Sequence, residues 1–331
     1  MGDSGGIVTT VQDALHRLGR TDVIEAERVR VLAGGMSGSA VYAFVLDGKP
    51  VVVKWTVQDR GDAGMVQRAQ REVRFYRELA RIVPVRVPRL LGSTPGDAGD
   101  VLLLLEASEP APPPSIWPDA DYAGVARDLG RFHTAMRSVA LPSWVPAAPA
   151  TSAEQCRAAT DAWRSFASGA GRGIVPDSLL RHMERTIAQV PERDARLDSG
   201  ALTLCHGDFH TGNLLRRPDG TWVWADWQEV RIGAGVDDLA FFWQRAFAAT
   251  EADAGPPFDA IVEAYWAGVN DAGDPGTSRE TFSQTLRWAE LRGWLVAWPP
   301  YLGYLSQTQR RRVVARIAAL LDASQDAVGW G

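Results

Sequence analysis

Three oxygen-bearing side chains fall within nineteen residues of one another. The segment Cys205-His206-Gly207-Asp208-Phe209-His210-Thr211-Gly212-Asn213 sets an aspartate and an asparagine five residues apart on one glycine-flanked loop. Thirteen residues after Asn213, the apolar piece Thr221–Ala225 reads as a strand that delivers Asp226. Phosphoryl transfer needs such a set, because it is mostly positioning plus charge neutralisation. One carboxylate must orient the attacking hydroxyl and accept its proton. A carboxylate and an amide must hold Mg2+, a hard ion that takes oxygen ligands and bridges phosphates. An isolated loop aspartate is more often a turn or cap residue, so the weight rests on the whole set.

A cation stands out upstream. Only two of the 35 Lys+Arg residues are lysines, Lys49 and Lys54. Arginine is the default cation here, yet Lys54 sits inside the apolar strand PVVVKWTV, residues 50–57. Lysine is a compact point charge that arginine does not mimic. An edge-strand lysine with a snorkelling stem would give the same pattern. Eighteen residues on lies Glu72, in the helical stretch REVRFYRE, where Glu78 competes with it.

In these residues the chain resembles the aminoglycoside-phosphotransferase family and, more distantly, protein kinases. The loop fills the family pattern H-G-D-x-x-x-x-N as HGDFHTGN. The resemblance implies that Asp208 is the catalytic base, that Asn213 and Asp226 are Mg2+ ligands, and that Lys54 meets the nucleotide phosphates, braced by Glu72. It makes GGMSGS, residues 34–39, a phosphate-covering loop with backbone N–H groups over Ser37, Gly38 and Ser39; alone, a Gly-Ser hairpin is usually a turn. It makes Leu105, Glu106 and Ala107 an inter-lobe hinge, with the Leu105 carbonyl and the Ala107 N–H meeting the purine edge. An ordinary buried strand fits that apolar run equally well.

Downstream, GAGVDDLA, residues 233–240, matches the family's G-D-P-x-x-D-L-A imperfectly, with Ala234 and Gly235 in place of Asp-Pro. By resemblance Asp238 and His206 support the catalytic loop structurally, while Asp237 is extra. His206 and His210 are four apart, but Gly207 and Gly212 argue for a loop and the HExxH glutamate is missing, so zinc is not expected. His210, Trp227, Glu229 and Trp294 are the acceptor-binding candidates. The match by motif covers roughly residues 29–245.

The elements needed to position these groups are legible as patterns. A helix is expected over 11–28, then strands at 29–32, 41–46 and 50–57 with Asp47-Gly48 as a hairpin turn. A helix over 62–82 follows, with strands at 89–93 and 101–105. Residues 109–118 hold five prolines and read as a linker. After it the pattern turns helical at 119–140, 151–168, 177–190, 236–250, 257–270, 278–298 and 306–323, with strand-like pieces at 201–204, 213–215 and 221–225. The expected fold is α+β, protein-kinase-like and bilobal: a nucleotide-binding lobe over 1–108 built on a five-stranded antiparallel sheet, the linker over 109–118, and a mainly helical catalytic and acceptor-binding lobe with a small hairpin over 119–331.

Composition sets the outer limits. The 331 residues are 46% hydrophobic and 23% charged, ordinary for a soluble globular chain. No apolar run reaches membrane-spanning length. Two cysteines make no disulfide framework, and with no export signal at the N-terminus a cytoplasmic location is expected. Net charge is −5, and the acidic excess lies wholly after residue 150, which argues against a nucleic-acid partner.

The expected cofactors are Mg2+ and ATP or GTP, since hinge contacts do not choose between purines. The expected partner is a small-molecule hydroxyl acceptor, an antibiotic; a homodimer is left open. Residues 271–331 carry six acidic and seven basic side chains, so the acid-lined pocket suited to aminoglycosides is not evident. Trp288, Trp294, Trp298, Tyr301 and Tyr304 lie there instead, which favours a nucleoside or cyclic-peptide antibiotic. Trp288, Leu291, Leu295 and Trp298 also form a helical stripe, more often core than pocket. The competing readings are a metabolite kinase of choline, homoserine, methylthioribose or fructosamine type, and an inactive kinase-like binding module.

Overall fold

The structure, a computed structural model, describes residues 4–21, 29–32, 39–57, 63–94, 99–197, 202–250, 256–273 and 275–326. The chain divides into two compact units, Met1–Ala111 with Gly212–Val230, and Pro112–Thr211 with Arg231–Gly331.

In the first unit, strands β1 (Arg30–Leu32), β2 (Ala40–Leu46), β3 (Lys49–Thr56), β4 (Leu90–Ser93) and β5 (Val101–Glu106) form an antiparallel sheet in the order β1-β2-β3-β5-β4. Asp47 and Gly48 both take positive φ, 50° and 72°, as a two-residue hairpin requires. Helix α1 (Ser4–Arg17) covers one face of the sheet. Its Val11, Ala14 and Leu15 pack with Phe44, Leu46, Val51, Val53, Leu102 and Leu104, each large side chain contributing about 1.5–3 kcal/mol of burial.

Helix α1 starts earlier than its periodicity suggests and stops at Arg17, not 28. Gly19 takes φ +72°, and the Gly19 and Arg20 N–H groups return to the carbonyls of His16 and Leu15, each at 2.9 Å.

Strand alternation puts Lys54, opposite Leu103 in the register, on the other face of the sheet. Helix α2 (Ala63–Arg74) packs there and runs on into a wide π-turn, Phe75–Leu79, closed by the Ala80 N–H on the Phe75 carbonyl at 2.9 Å. The extra residue per turn broadens the inward face, so Glu72, Val73, Phe75, Tyr76 and Leu79 are all buried. Strands β6 (Glu109–Pro110), β8 (Leu214–Arg216) and β9 (Trp222–Trp224) complete the unit as a small antiparallel sheet. The start of the proline-rich stretch is therefore an edge strand, a position that tolerates proline.

The second unit is built from α3 (Asp119–Met136), α4 (Ala153–Ser168), α5 (Asp177–Ala188), α6 (Val190–Leu197), α7 (Gly235–Ala249), α8 (Phe258–Asp271), α9 (Arg279–Arg292) and α10 (Gln307–Asp326), with β7 (Leu202–Cys205) paired antiparallel to β10 (Arg231–Ala234). Helix α6 and strand β10 have no counterpart in the pattern reading. Helices α3 and α8 cross at close range. A Cβ on Gly130 would lie 2.2 Å from the Tyr265 carbonyl oxygen, and one on Gly268 would lie 2.0 Å from that of Arg127. The single helix expected over 278–298 ends at Arg292, followed by a wide turn Gly293–Ala297 and a 3-10 turn Pro299–Tyr304. No helix among the described residues is long and apolar enough to cross a membrane.

Candidate active site

Two polar centres stand out, one in each unit. In the first unit, Lys54 of β3 is gripped by two carboxylates. Its Nζ lies 2.9 and 2.7 Å from Glu72 Oε1 and Oε2, and 2.8 Å from Asp226 Oδ1. Burial alone would lower the ammonium's pKa, but the two carboxylates reverse this and hold it above its ordinary value. Burial pushes Glu72 up to about 7, with Lys54 opposing and Asp226 adding to the rise. Two carboxylates share one ammonium, so with both ionised the trio carries one net negative charge.

Asp226 follows β9 and adopts a left-handed backbone, φ 65° and ψ 59°. Aspartate is among the few non-glycine residues that visit this region, at a cost of about 1–2 kcal/mol or less. Before it, the Ala225 N–H donates to the Asn213 carbonyl at 2.9 Å, which sets Asn213 beside the end of β9. After it, Trp227 is fully buried. The Trp227 ring stacks on Phe75 with centroids 4.1 Å apart, and its indole N–H donates to the Trp224 carbonyl at 2.9 Å. Glu229 lies 3.5 Å from Arg68 and 3.6 Å from Arg71, and Arg71 also donates to the Gln228 carbonyl at 3.2 Å. Tyr76, buried one turn beyond Glu72, has a hydroxyl with no hydrogen-bond partner among the described residues.

The donor set fits a magnesium ion. An amide and a carboxylate from neighbouring strand ends are hard oxygen ligands, in a cluster with surplus negative charge. Asn213 and Asp226 are the residues that could hold it.

In the second unit, the turn after β7 carries Asp208. The backbone N–H groups of His206 and Gly207 donate to Asp238 Oδ2 at 2.7 Å and Oδ1 at 3.0 Å. Gly207 takes φ +85°, which suits glycine, and Arg231 donates to its carbonyl at 3.2 Å. The Asp208 N–H donates to His206 Nδ1 at 3.3 Å, so that ring nitrogen is the acceptor. His206 is fully buried. The Asp208 side chain keeps 29% of its surface exposed, with His210 Nε2 3.7 Å away.

Asp238, in the first turn of α7, is buried, and burial alone would raise its pKa. The His133 imidazole, 3.3 Å away, and the positive charge of Arg231 bring it below the ordinary carboxylate value instead. His133 also meets the Tyr265 hydroxyl at 2.9 Å. A Cβ on Gly235 would lie 2.6 Å from His133 Nδ1. That contact explains the glycine where the family's pattern has proline.

His133, Cys205 and Asp238 bring donor atoms within 4.8 Å of one another, but this trio does not fit a metal. Both Asp238 oxygens already accept backbone N–H groups, and the Cys205 thiol donates to the Thr203 carbonyl at 3.8 Å.

Several expectations change. Ser37 and Gly38 lie outside the described residues. Ser39 is buried with its hydroxyl 2.6 Å from that of Thr56. The Ala107 N–H is not free for a purine: it donates to the Pro50 carbonyl at 3.0 Å, continuing the β3–β5 ladder, while the Glu106 N–H donates to Arg89 at 2.9 Å and Leu105 pairs with Val52. Trp227 and Trp294 are core residues rather than pocket walls. Trp294 is fully buried against Trp243, Phe247 and Trp298. Trp288 and Trp298 are buried as well.

Asp237 gains an explanation, pairing at 2.5 Å with Arg292, which also meets Asp194 at 3.1 Å. His133, Arg231, Arg68 and Arg71 were not anticipated. Of these only His133 carries a visible signal, a histidine on the inward face of an apolar helix.

Among the curated proteins, none is similar enough in sequence to be counted a relative. Among solved structures, the chain is similar to amicoumacin kinase hAmiN, in complex with AMP-PNP, Ca2+ and Ami, at 13% identity and TM-score 0.63, covering 98% of this chain and 97% of that one. It is similar to a microcompartment-associated aminopropanol kinase at 17% identity and TM-score 0.64, covering 96% of each chain. It is also similar to wild-type aminoglycoside 2'-phosphotransferase-IIIa in its GDP complex, at 10% identity and TM-score 0.61, covering 96% of this chain and 99% of that one. At these identities the likeness is one of fold, the protein-kinase-like α+β fold. The model of the phosphotransferase enzyme family matches residues 28–280. The chain belongs to that family and is an O-phosphotransferase of the kinase type.

Proposed function

We propose that the protein transfers the γ-phosphate of ATP or GTP, with Mg2+, to a hydroxyl of a small-molecule antibiotic, in the cytoplasm. The observation that carries this reading is Lys54 held between Glu72 and Asp226, 2.7–2.9 Å from each. The three come from a strand, a helix and a hairpin end 172 residues away in sequence, a convergence that a chance surface lysine would not have.

In this reading the first unit binds the nucleotide and the second carries catalytic and acceptor groups. Asn213 and Asp226 would hold Mg2+, whose charge would offset that of the transferring phosphate. Lys54, its stem fixed in the sheet and its head braced by Glu72, presents an ammonium to the phosphates. Asp208 orients the acceptor hydroxyl and takes its proton. The Asp238 carboxylate fixes the backbone on which Asp208 stands.

For the acceptor, the balanced charge of residues 271–331 favours a weakly cationic antibiotic of nucleoside or cyclic-peptide type over an aminoglycoside. Trp288, Trp294 and Trp298 lend no support, since all three are buried. The similarity to an aminopropanol kinase keeps a second reading, a small amino-alcohol metabolite.

The test is nucleotide consumption with Mg2+ and ATP or GTP against a panel of nucleoside, cyclic-peptide and aminoglycoside antibiotics and amino alcohols. The product is then examined by phosphorus NMR and mass spectrometry. Asp208→Ala should abolish transfer and retain nucleotide binding; wild-type turnover by that variant removes Asp208 from the mechanism. Turnover of multiply aminated aminoglycosides alone overturns the preferred acceptor class.

A further inference from the structure

Helix α2 offers the segment after β9 more than Glu72. Arg68, Arg71, Glu72 and Phe75 follow the i, i+3, i+4, i+7 spacing that lines one helical face. All four engage residues 226–229. Arg68 and Arg71 flank the Glu229 carboxylate at 3.5 and 3.6 Å, and Arg71 holds the Gln228 carbonyl at 3.2 Å. Glu72 reaches Asp226 through Lys54, and Phe75 stacks on Trp227 with an interplanar angle of 8°.

We infer that Arg68, Arg71 and Glu229 form a clasp that positions Asp226 for the metal, and that Glu229 does not serve the acceptor. The inference rests on the reading of Asp226 as a metal-bearing carboxylate. Its physical ground is the left-handed backbone of Asp226, which aspartate visits only at some cost and which the contacts on the residues that follow help to hold. The stack fixes Trp227. The two arginines fix the carbonyl and carboxylate of the two residues that follow, so the segment is pinned along its length. Arg68 and Glu229 each keep about a third of their side-chain surface exposed, and such pairs stabilise little. Their removal should therefore be felt at the metal rather than in folding.

The test is isothermal titration of Mg2+ into the full chain preloaded with ATP, repeated with GTP, alongside metal-free nucleotide binding and thermal melting. Glu229→Gln and Arg71→Ala should raise the half-saturating Mg2+ concentration about tenfold, the usual effect of losing an outer-shell support. Metal-free nucleotide binding and the melting temperature should hold. Arg71→Lys, which keeps the charge but not the fork of donors, should fall between. If Arg71→Ala does not fold, Glu229→Gln and Arg71→Lys answer the same question.

Asp226→Asn is the control, because asparagine also accepts the left-handed backbone. If it shifts the Mg2+ midpoint and the clasp variants do not, the clasp is overturned and the reading of Asp226 stands. If it shifts nothing, that reading falls and the clasp with it. A lowered melting temperature with an unmoved Mg2+ midpoint also overturns the clasp.

Discussion

Glu72 in the first unit and Asp238 in the second are both buried carboxylates beside a cation or an imidazole, yet their pKa values move in opposite directions. Glu72 shares a single ammonium with Asp226 and is raised to about 7. Asp238 accepts two backbone N–H groups and faces His133, and it is lowered. Burial penalises both. The difference lies in the countercharges: Asp238 has the His133 imidazole bonded to it and the positive charge of Arg231 nearby, whereas Lys54 serves two acids at once. In the proposed function, the charge that would exchange partners with a nucleotide is left short of donors, and the charge that would only hold a loop is given its full complement.

The contrast can be broken, most severely at Asp238. Asp238→Ala would strand the His206 and Gly207 N–H groups in the interior. Stability should fall by about 3–5 kcal/mol in denaturant unfolding, as when one partner of a buried charged pair is removed. A loss under 1 kcal/mol would show the turn holding itself.

Lys54→Met comes next. It leaves two facing acids without their cation, and phosphoryl transfer should drop about 10²–10³-fold, the scale of one lost charge-stabilising donor. Retained activity would remove Lys54 from the nucleotide.

Acidity separates the two centres by sign. Glu72 binds protons more tightly in the folded state than in the unfolded chain, so its contribution to stability is complete below the ordinary glutamate value and is lost as pH rises through about 7. Asp238 binds them less tightly, so its contribution is complete above the ordinary aspartate value and is lost as pH falls through its lowered one. Melts of Glu72→Gln between pH 5 and pH 8 should show a flatter decline than the parent chain; parallel curves would assign the slope elsewhere.

The smallest expected effect is at Tyr76. Its hydroxyl is buried without a partner among the described residues, so Tyr76→Phe should leave stability unchanged or raise it by up to about 1 kcal/mol. A clear loss would reveal a partner for that oxygen.

Much of this was legible in the sequence because it is local. Short apolar runs bounded by turn residues give β2, β3 and β5, and the Asp47-Gly48 hairpin follows from backbone preference alone. Lys54 and Asp226 are visible as misfits, a rare lysine in an apolar strand and an acid at a strand end. What escaped is what depends on distant neighbours. The four-residue β10 is too short and glycine-rich to show a period. The Ala107 N–H is taken by Pro50, a pairing set by sheet register. The tryptophans of residues 288–298 could have lined a cavity by pattern and fill the core by packing. Glu229 looked free because the arginines that meet it lie about 160 residues earlier.

That separation shapes how the chain is made. The first unit includes Gly212–Val230, and Lys54 leaves the ribosome 172 residues before Asp226 does. At about 5–20 residues per second this is roughly 10–35 s of synthesis. For that interval the nascent sheet carries an ammonium answered by Glu72 alone, and a phenylalanine face that awaits its indole. A stall or release at residue 111 would yield a sheet without its last carboxylate, a natural client for chaperones rather than a smaller working enzyme.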